Sequence, residues 1–457
     1  MKSIEEFRNT LKDIADLAFS NAINSLNVNH NSLNNPKLFD KEFQNEFVSK
    51  VHEGFKKAQE KLIVEVLYYQ NLLQERNISL KEFRRQKNKS DSENTEIEIK
   101  VIKQRISNLS HIADSIAWQM IGGEIHIARR LFNSSYSQKF LASSNIQHAI
   151  KVAEEINKSP LNFALISDLT HFVQIGDLLI KQSNLVGLME LKEGKVNEQI
   201  NLFFEELRLK KQPINEEILK NRFDENVLKQ ALRMNRQKER TEKIIEIINT
   251  DKGIDPTTNE PIVIKTPNIK TEGYHLALNK LYKDLSSNLY SYEVIEHCLH
   301  IGMYQNEGRS MAPFVIKHLL EKETENFILI DWLTITNNVS QPLFLKPFPP
   351  EFIIEVLTGK VKIIMGLNLD KLIGLFNSLG LKTRWVNQKE ANKMLKGMPR
   401  QEEIFIINKK RIMFTIPSLE IETFLSGGIL SKIFYDNILP SNIARTFLTL
   451  KYDDFNS

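Results

Sequence analysis

The chain has 457 residues, of which 41% are hydrophobic and 26% charged, so it can bury several cores without disulfides. Its net charge of +4 neither places nor excludes a nucleic-acid surface. One cysteine, Cys298, excludes an internal disulfide framework; with no apolar leader and no apolar run near 18 residues, a cytoplasmic protein without membrane spans is expected.

Residues 1–95 read as a helical region. Phe47, Val51, Phe55, Ala58, Leu62 and Val66 recur at helical spacing. A polar stretch over 87–94 breaks the pattern. A helix is predicted over 96–121, with Ile99, Ile102, Ile106, Leu109, Ala113 and Ile116 on one face. Gly122-Gly123 should end or kink it, and a short helix follows over 124–132. Ser159-Pro160 stops another helix over 145–157. Three short apolar segments, 163–167, 172–181 and 185–191, read as strands buried on both faces. Helices are expected over 196–210 and 215–249, then a Pro- and Gly-containing loop to 272. A helix over 275–287 and a strand over 294–304 complete a core at 96–305.

Residues 306–457 read as a C-terminal α/β domain of unknown role. Strands at 327–336, 361–365, 383–386, 404–407 and 411–416 alternate with helices at 312–322, 350–357, 369–379, 388–396 and 418–434. The overall class is therefore α+β, and no internal repeat is evident.

The chemically informative stretch is His171 to Lys195. If Ser183-Asn184 is a two-residue hairpin loop, Gln182 faces Leu185 and Asp177 faces Glu190. Directly opposed residues share a face, and Lys192, two beyond Glu190, points to that face too. Two opposed carboxylates in an apolar sheet repel, and burying them unpaired is costly. A divalent cation, Mg²⁺ or Mn²⁺, would resolve the repulsion and lower the pKa of a bound water for attack on a phosphodiester. Lys192 would orient or deprotonate that water. A surface ion-pair cluster is the plain alternative, although the apolar embedding of Leu188-Met189-Glu190-Leu191-Lys192 argues against a solvated face.

Gly176-Asp177 on one strand, Glu190-Leu191-Lys192 on the next, and flanking helices resemble the PD-(D/E)xK nuclease superfamily. The likeness spans roughly 96–305, and Gly stands where Pro gives the motif its name. The resemblance implies a restriction-endonuclease-like mixed-sheet core, with Asp177 and Glu190 holding metal and Lys192 acting on the attacking water. It also implies a metal-binding carboxylate on the preceding helix, for which Glu124 and Asp114 compete. Gln230, Arg233, Gln237 and Arg240 share one face of the later helix and are candidates for substrate phosphates, a solvated face being the alternative.

Other signals carry less. Glu296, Cys298 and His300 lack the paired spacing of a structural zinc site. No phosphate-binding G-x-x-x-x-G-K-[ST] loop occurs, so no motor is expected. The expected function is a metal-dependent nuclease on DNA, serving restriction, repair or anti-phage defence. The helical regions would serve a protein partner or a second copy, and no membrane is involved. The competing expectation is a catalytically inactive interaction or scaffold protein with a nuclease-like core.

Overall fold

The computed structural model describes residues 1–26, 40–132, 141, 146–183, 185–191, 194–256, 259–264, 271–335, 340–396 and 404–450. The chain divides into two units. One comprises Met1 and Asp13–Ile264, the other Lys2–Lys12 and Lys265–Ser457.

The first unit is helical around a small sheet. Helix α1 (Ile4–Ser25) contributes its part from Asp13 onward. Helices α2 (Lys41–Arg85) and α3 (Lys89–Met120) are long and joined by a tight turn. The break expected over 87–94 is short, because Asn88 caps α3 by accepting the Asp91 N–H. The predicted α3 face holds: Ile99, Ile102, Ile106, Leu109, Ala113 and Ile116 are all buried. Gly122 and Gly123 end α3 in left-handed conformations, as expected. Helix α4 (Ile125–Leu131) and α5 (Ile146–Ile156) follow.

Strands β1 (Asn162–Ile166), β2 (Leu178–Gln182) and β3 (Leu185–Met189) form an antiparallel meander in the order β1-β2-β3. Helix α6 (Lys195–Leu209), short α7 (Glu216–Lys220) and α8 (Glu225–Thr250) come next. The helix expected over 215–249 is broken at 221–224, where Asp224 caps α8 through the Asn226 and Val227 N–H groups. A small hairpin, β4 (Lys252–Ile254) and β5 (Pro261–Val263), ends the unit.

Two helices close the edges of the meander. Gln59 of α2, 4% exposed, donates through Nε2 to the Ala164 carbonyl (3.1 Å) and accepts the Ile166 N–H (2.8 Å). On the far edge, Asn249 of α8 accepts the Val186 N–H (3.3 Å) and donates to its carbonyl (3.1 Å). Each carboxamide does for an outer strand what a neighbouring peptide group would do.

Helix α2 lies very close to α1 at Gly54. A Cβ there would strike the Leu17 carbonyl oxygen and stand 2.7 Å from the Asn21 Cβ. Alanine normally stabilises a helix by about 1 kcal/mol over glycine. Here the forced separation should outweigh that gain, so Gly54→Ala is expected to cost about 1–3 kcal/mol. Thermal unfolding measures it, and an unchanged or higher midpoint would contradict the close approach.

The second unit holds α9 (His275–Leu285), β6 (Tyr290–Ile295), β7 (Leu299–Gln305), α10 (Gly308–Glu321), β8 (Phe327–Asp331), α11 (Pro350–Leu357) and β9 (Val361–Asn368). It continues with α12 (Leu369–Ser378), β10 (Thr383–Asn387), α13 (Gln388–Met394), β11 (Lys410–Ile416), β12 (Ile421–Phe424), α14 (Gly427–Phe434) and α15 (Pro440–Thr449). One sheet runs β6-β7-β9-β8 and another β10-β11-β12, over a core that includes Trp332, Phe352, Phe376 and Phe414.

Several expectations need correction. The strand predicted over 294–304 is two strands, because Glu296 and His297 take left-handed conformations and turn the chain between β6 and β7. Strand β7 pairs with β9, so this stretch, expected in the core at 96–305, joins the sheet of the second unit. The helix predicted over 418–434 begins only at Gly427, since β12 pairs with β11 first. Helix α15 was not anticipated, and Ile404 and Ile407 make only isolated bridges. Every strand pairing among the described residues is antiparallel. The chain is thus α+β, with neither a mixed sheet nor a parallel α/β sheet in that part. Nor is the meander buried throughout: β1 and most of β2 are, whereas Leu185 of β3 is exposed. No described helix is long and apolar enough to cross a membrane.

Candidate functional site

The hairpin has the register read from its two-residue loop: Gln182 pairs with Leu185 and Leu178 with Met189. The next position down therefore sets Asp177 against Glu190. The Asp177 N–H donates to the Met189 carbonyl (2.8 Å), which extends the pairing to the base of the hairpin. There the two half-buried carboxylates reach across to each other's strand. Asp177 Oδ2 accepts the Leu191 N–H at 2.6 Å, and Glu190 Oε1 accepts the Gly176 N–H at 3.2 Å. Gly176 has φ +78 and its missing Cβ would lie 3.3 Å from the Met189 carbonyl oxygen, which explains glycine before the Asp.

Strand β2 starts later than expected because the loop before it satisfies its N–H groups with side chains. The His171 N–H donates to Asp114 Oδ1, the Val173 N–H to Thr170 Oγ1, and the Gly176 N–H to Glu190.

Glu190 also opens onto a cavity of about 320 Å³ between β3, α6 and α8, with Asn201, Phe204, Gln237, Lys238 and Thr241 in its walls. Lys238 lies 3.3 Å from Glu205 and passes over the Phe204 ring. The fold thus brings Asp177, Glu190 and Gln237 to one region. Gln230 instead donates to Asn197 of α6 (3.0 Å), Arg233 is exposed and Arg240 half-buried. Lys192 lies outside the described residues.

The two rivals for the helix carboxylate have separate partners. Glu124 precedes α4 and lies 3.4 Å from His126 Nδ1, with its side chain 46% exposed. Asp114, 6% exposed, accepts the His171 backbone N–H (2.7 Å) and its ring Nδ1–H (2.6 Å). His171 Nε2 is 3.1 Å from Ser107 Oγ, and the His111 ring centre is 4.9 Å from that of His171. Burial, aided by His171, pushes the pKa of His111 down to about 3 against the pull of Asp114. For His171, burial opposes the charge, but the Asp114 carboxylate and its hydrogen bond prevail and raise the pKa above the usual imidazole value.

This second cluster was missed by sequence reasoning, which gave His171 no role of its own and took Asp114 only as a rival to Glu124. The readable half of the signal was His111-x-x-Asp114, one turn apart on α3. The other half, His171, arrives through tertiary folding alone.

Comparison of the chain with protein-family models, curated proteins and solved structures gives no match.

Proposed function

We propose that the first unit is a metal-dependent nuclease that hydrolyses phosphodiester bonds in DNA, with its active centre at the base of the β2–β3 hairpin. The observation carrying this reading is the cross-strand pairing of Asp177 and Glu190 beside a cavity that also receives Gln237. Two half-buried carboxylates at one point suit a hard dication with oxygen ligands, so Mg²⁺ or Mn²⁺ fits the donor set. When bound, such an ion supplies Lewis-acid stabilisation of phosphate oxygens and an acidified water.

The residues themselves do the rest. The backbone amides of Gly176 and Leu191 fix the two carboxylates in place, so little reorganisation is needed to hold a cation. Gln237 offers an amide to a phosphate oxygen from the α8 side of the cavity. Lys192 remains the candidate for holding the proton of the attacking water. A DNA partner and a place in restriction or defence belong to the same proposal, as does association through the helical regions.

The purified chain, incubated with supercoiled, linear and single-stranded DNA and with RNA, should cleave DNA in the presence of Mg²⁺ or Mn²⁺ and not in EDTA. No cleavage of any of these substrates would overturn the reading.

A second reading has its own support. The reciprocal amide bonds already satisfy part of each carboxylate, which suits a structural clamp in an inactive, partner-binding protein. In that case Asp177→Ala lowers stability without altering any catalytic rate.

A further inference from the structure

We propose that His111, Asp114 and His171 form a binding site for a transition-metal dication of the zinc type, distinct in residues and in donor chemistry from the hairpin carboxylates. One ligand atom from each of the three lies within 4.8 Å of the others. His111 and Asp114 sit one turn apart on α3 and are both nine-tenths or more buried. His171 comes from the loop ahead of β2, so two separate elements converge.

The distances suit an ion. His171 Nδ1 and His111 Nδ1 lie 2.6 and 4.0 Å from Asp114 Oδ2. These values bracket the roughly 3.4 Å between neighbouring ligands of a tetrahedral ion with bonds of about 2.1 Å. Metal uptake would release the proton that His171 Nδ1 now donates to Asp114 Oδ2, freeing that nitrogen's lone pair for the ion. The far nitrogen of His171 is already engaged: Nε2 lies 3.1 Å from Ser107 Oγ. Metal-bound imidazoles characteristically make such a bond through the nitrogen that does not face the metal, which fixes the tautomer. The loop is held as well, since Asp114 Oδ1 accepts the His171 backbone N–H and Thr170 accepts that of Val173.

The donor set identifies the class of ion. Two imidazoles and one carboxylate suit Zn²⁺, Co²⁺ or Ni²⁺ better than the oxygen-seeking Mg²⁺. Three protein ligands leave one position of a tetrahedral ion for water or another small ligand. His171 is the partly exposed ligand, with 31% of its side chain accessible, and provides the way in from solvent.

Cobalt and zinc are the probes. The full chain, stripped with chelator and then supplied with excess Mg²⁺ to fill the hairpin carboxylates, should take up one Co²⁺ per chain and develop visible d–d bands of a four-coordinate ion, which one equivalent of Zn²⁺ displaces. His111→Ala and His171→Gln should each weaken Zn²⁺ binding at least about a hundredfold, beyond the ten- to hundredfold that loss of an outer partner costs. Asp177→Asn should leave the cobalt spectrum unchanged, so this site and the nuclease reading stand or fall separately. Should the histidine variants fail to fold, X-ray absorption on the zinc-loaded wild type decides, with two imidazole scatterers expected. No stoichiometric uptake, a spectrum indifferent to both histidine substitutions, or an imidazole-free zinc shell would overturn the proposal.

Discussion

Asp177→Asn and Glu190→Gln are each expected to reduce metal-dependent DNA cleavage by at least about a thousandfold, equivalent to about 4 kcal/mol of transition-state stabilisation. The amide replacements are chosen because they retain a hydrogen-bond acceptor. The amide oxygen introduced at position 177 would still accept the Leu191 N–H, and the one introduced at position 190 the Gly176 N–H, so the base of the hairpin keeps its backbone contacts. What each variant loses is charge, and with it the affinity for a hard dication. Initial rates on end-labelled DNA across a Mg²⁺ and Mn²⁺ titration, beside thermal unfolding of the same samples, measure both effects. Wild-type rates in both variants would remove the hairpin from the chemistry. The change in melting temperature should be small, which separates the catalytic loss from a folding loss.

Acid should loosen the contact between α2 and β1 through His52. This side chain is 5% exposed, its ring lies 6.2 and 6.1 Å from those of Phe55 and Phe163, and its buried Nδ1 has no hydrogen-bond partner among the described residues. Burial pulls its pKa down to about 4, against a helping hydrogen bond to the Pro160 backbone. The unfolded chain therefore binds the proton more readily than the folded one. Stability from this group is complete above the ordinary imidazole pKa, about 6.5, and is lost as pH falls from there to about 4. The depression corresponds to about 3 kcal/mol at about 1.36 kcal/mol per pH unit. Hydrogen exchange of α2 and β1 peptides between about pH 7.5 and pH 3.5 spans this window and reports the effect directly, after correction for intrinsic exchange. His52→Leu should flatten the dependence, and an equally steep fall in that variant would assign the effect elsewhere.

The parts of this molecule legible in its sequence are those set by local periodicity and turn chemistry. The buried face of α3 follows from Ile99 to Ile116 at spacings of three and four. The hairpin register follows from Ser183-Asn184, with Ser183 in the left-handed conformation that a tight loop demands. What was illegible depends on distant partners. The stretch 172–176 has strand-like composition, yet its Val173, Gln174 and Gly176 amides go to Thr170, the Leu131 carbonyl and Glu190, so the ladder starts only at the base of the hairpin. Strand β7 looked like a continuation of the core because nothing nearby in sequence reveals that β9, beyond α10, β8 and α11, is its neighbour. At the candidate sites, Asp177 and Glu190 could be paired by counting along one hairpin. The meeting of His111 with His171 could not, because a helix and a loop bring them together across the fold.

The two carboxamides that close the meander bear on how the chain is made and what it can join. An open strand edge is a template, and any extended segment with free N–H and C=O groups can add to it and seed aggregation. Gln59 removes that opportunity at β1, and Asn249 removes it at β3. Their timing on the ribosome differs. Gln59 is synthesised 105 residues before Ala164 and is waiting when β1 emerges, whereas Asn249 follows Val186 by 63 residues. Between those moments the β3 side stands uncapped. The interval before α8 docks is the period in which a nascent chain is most exposed to adding a strand from a neighbour.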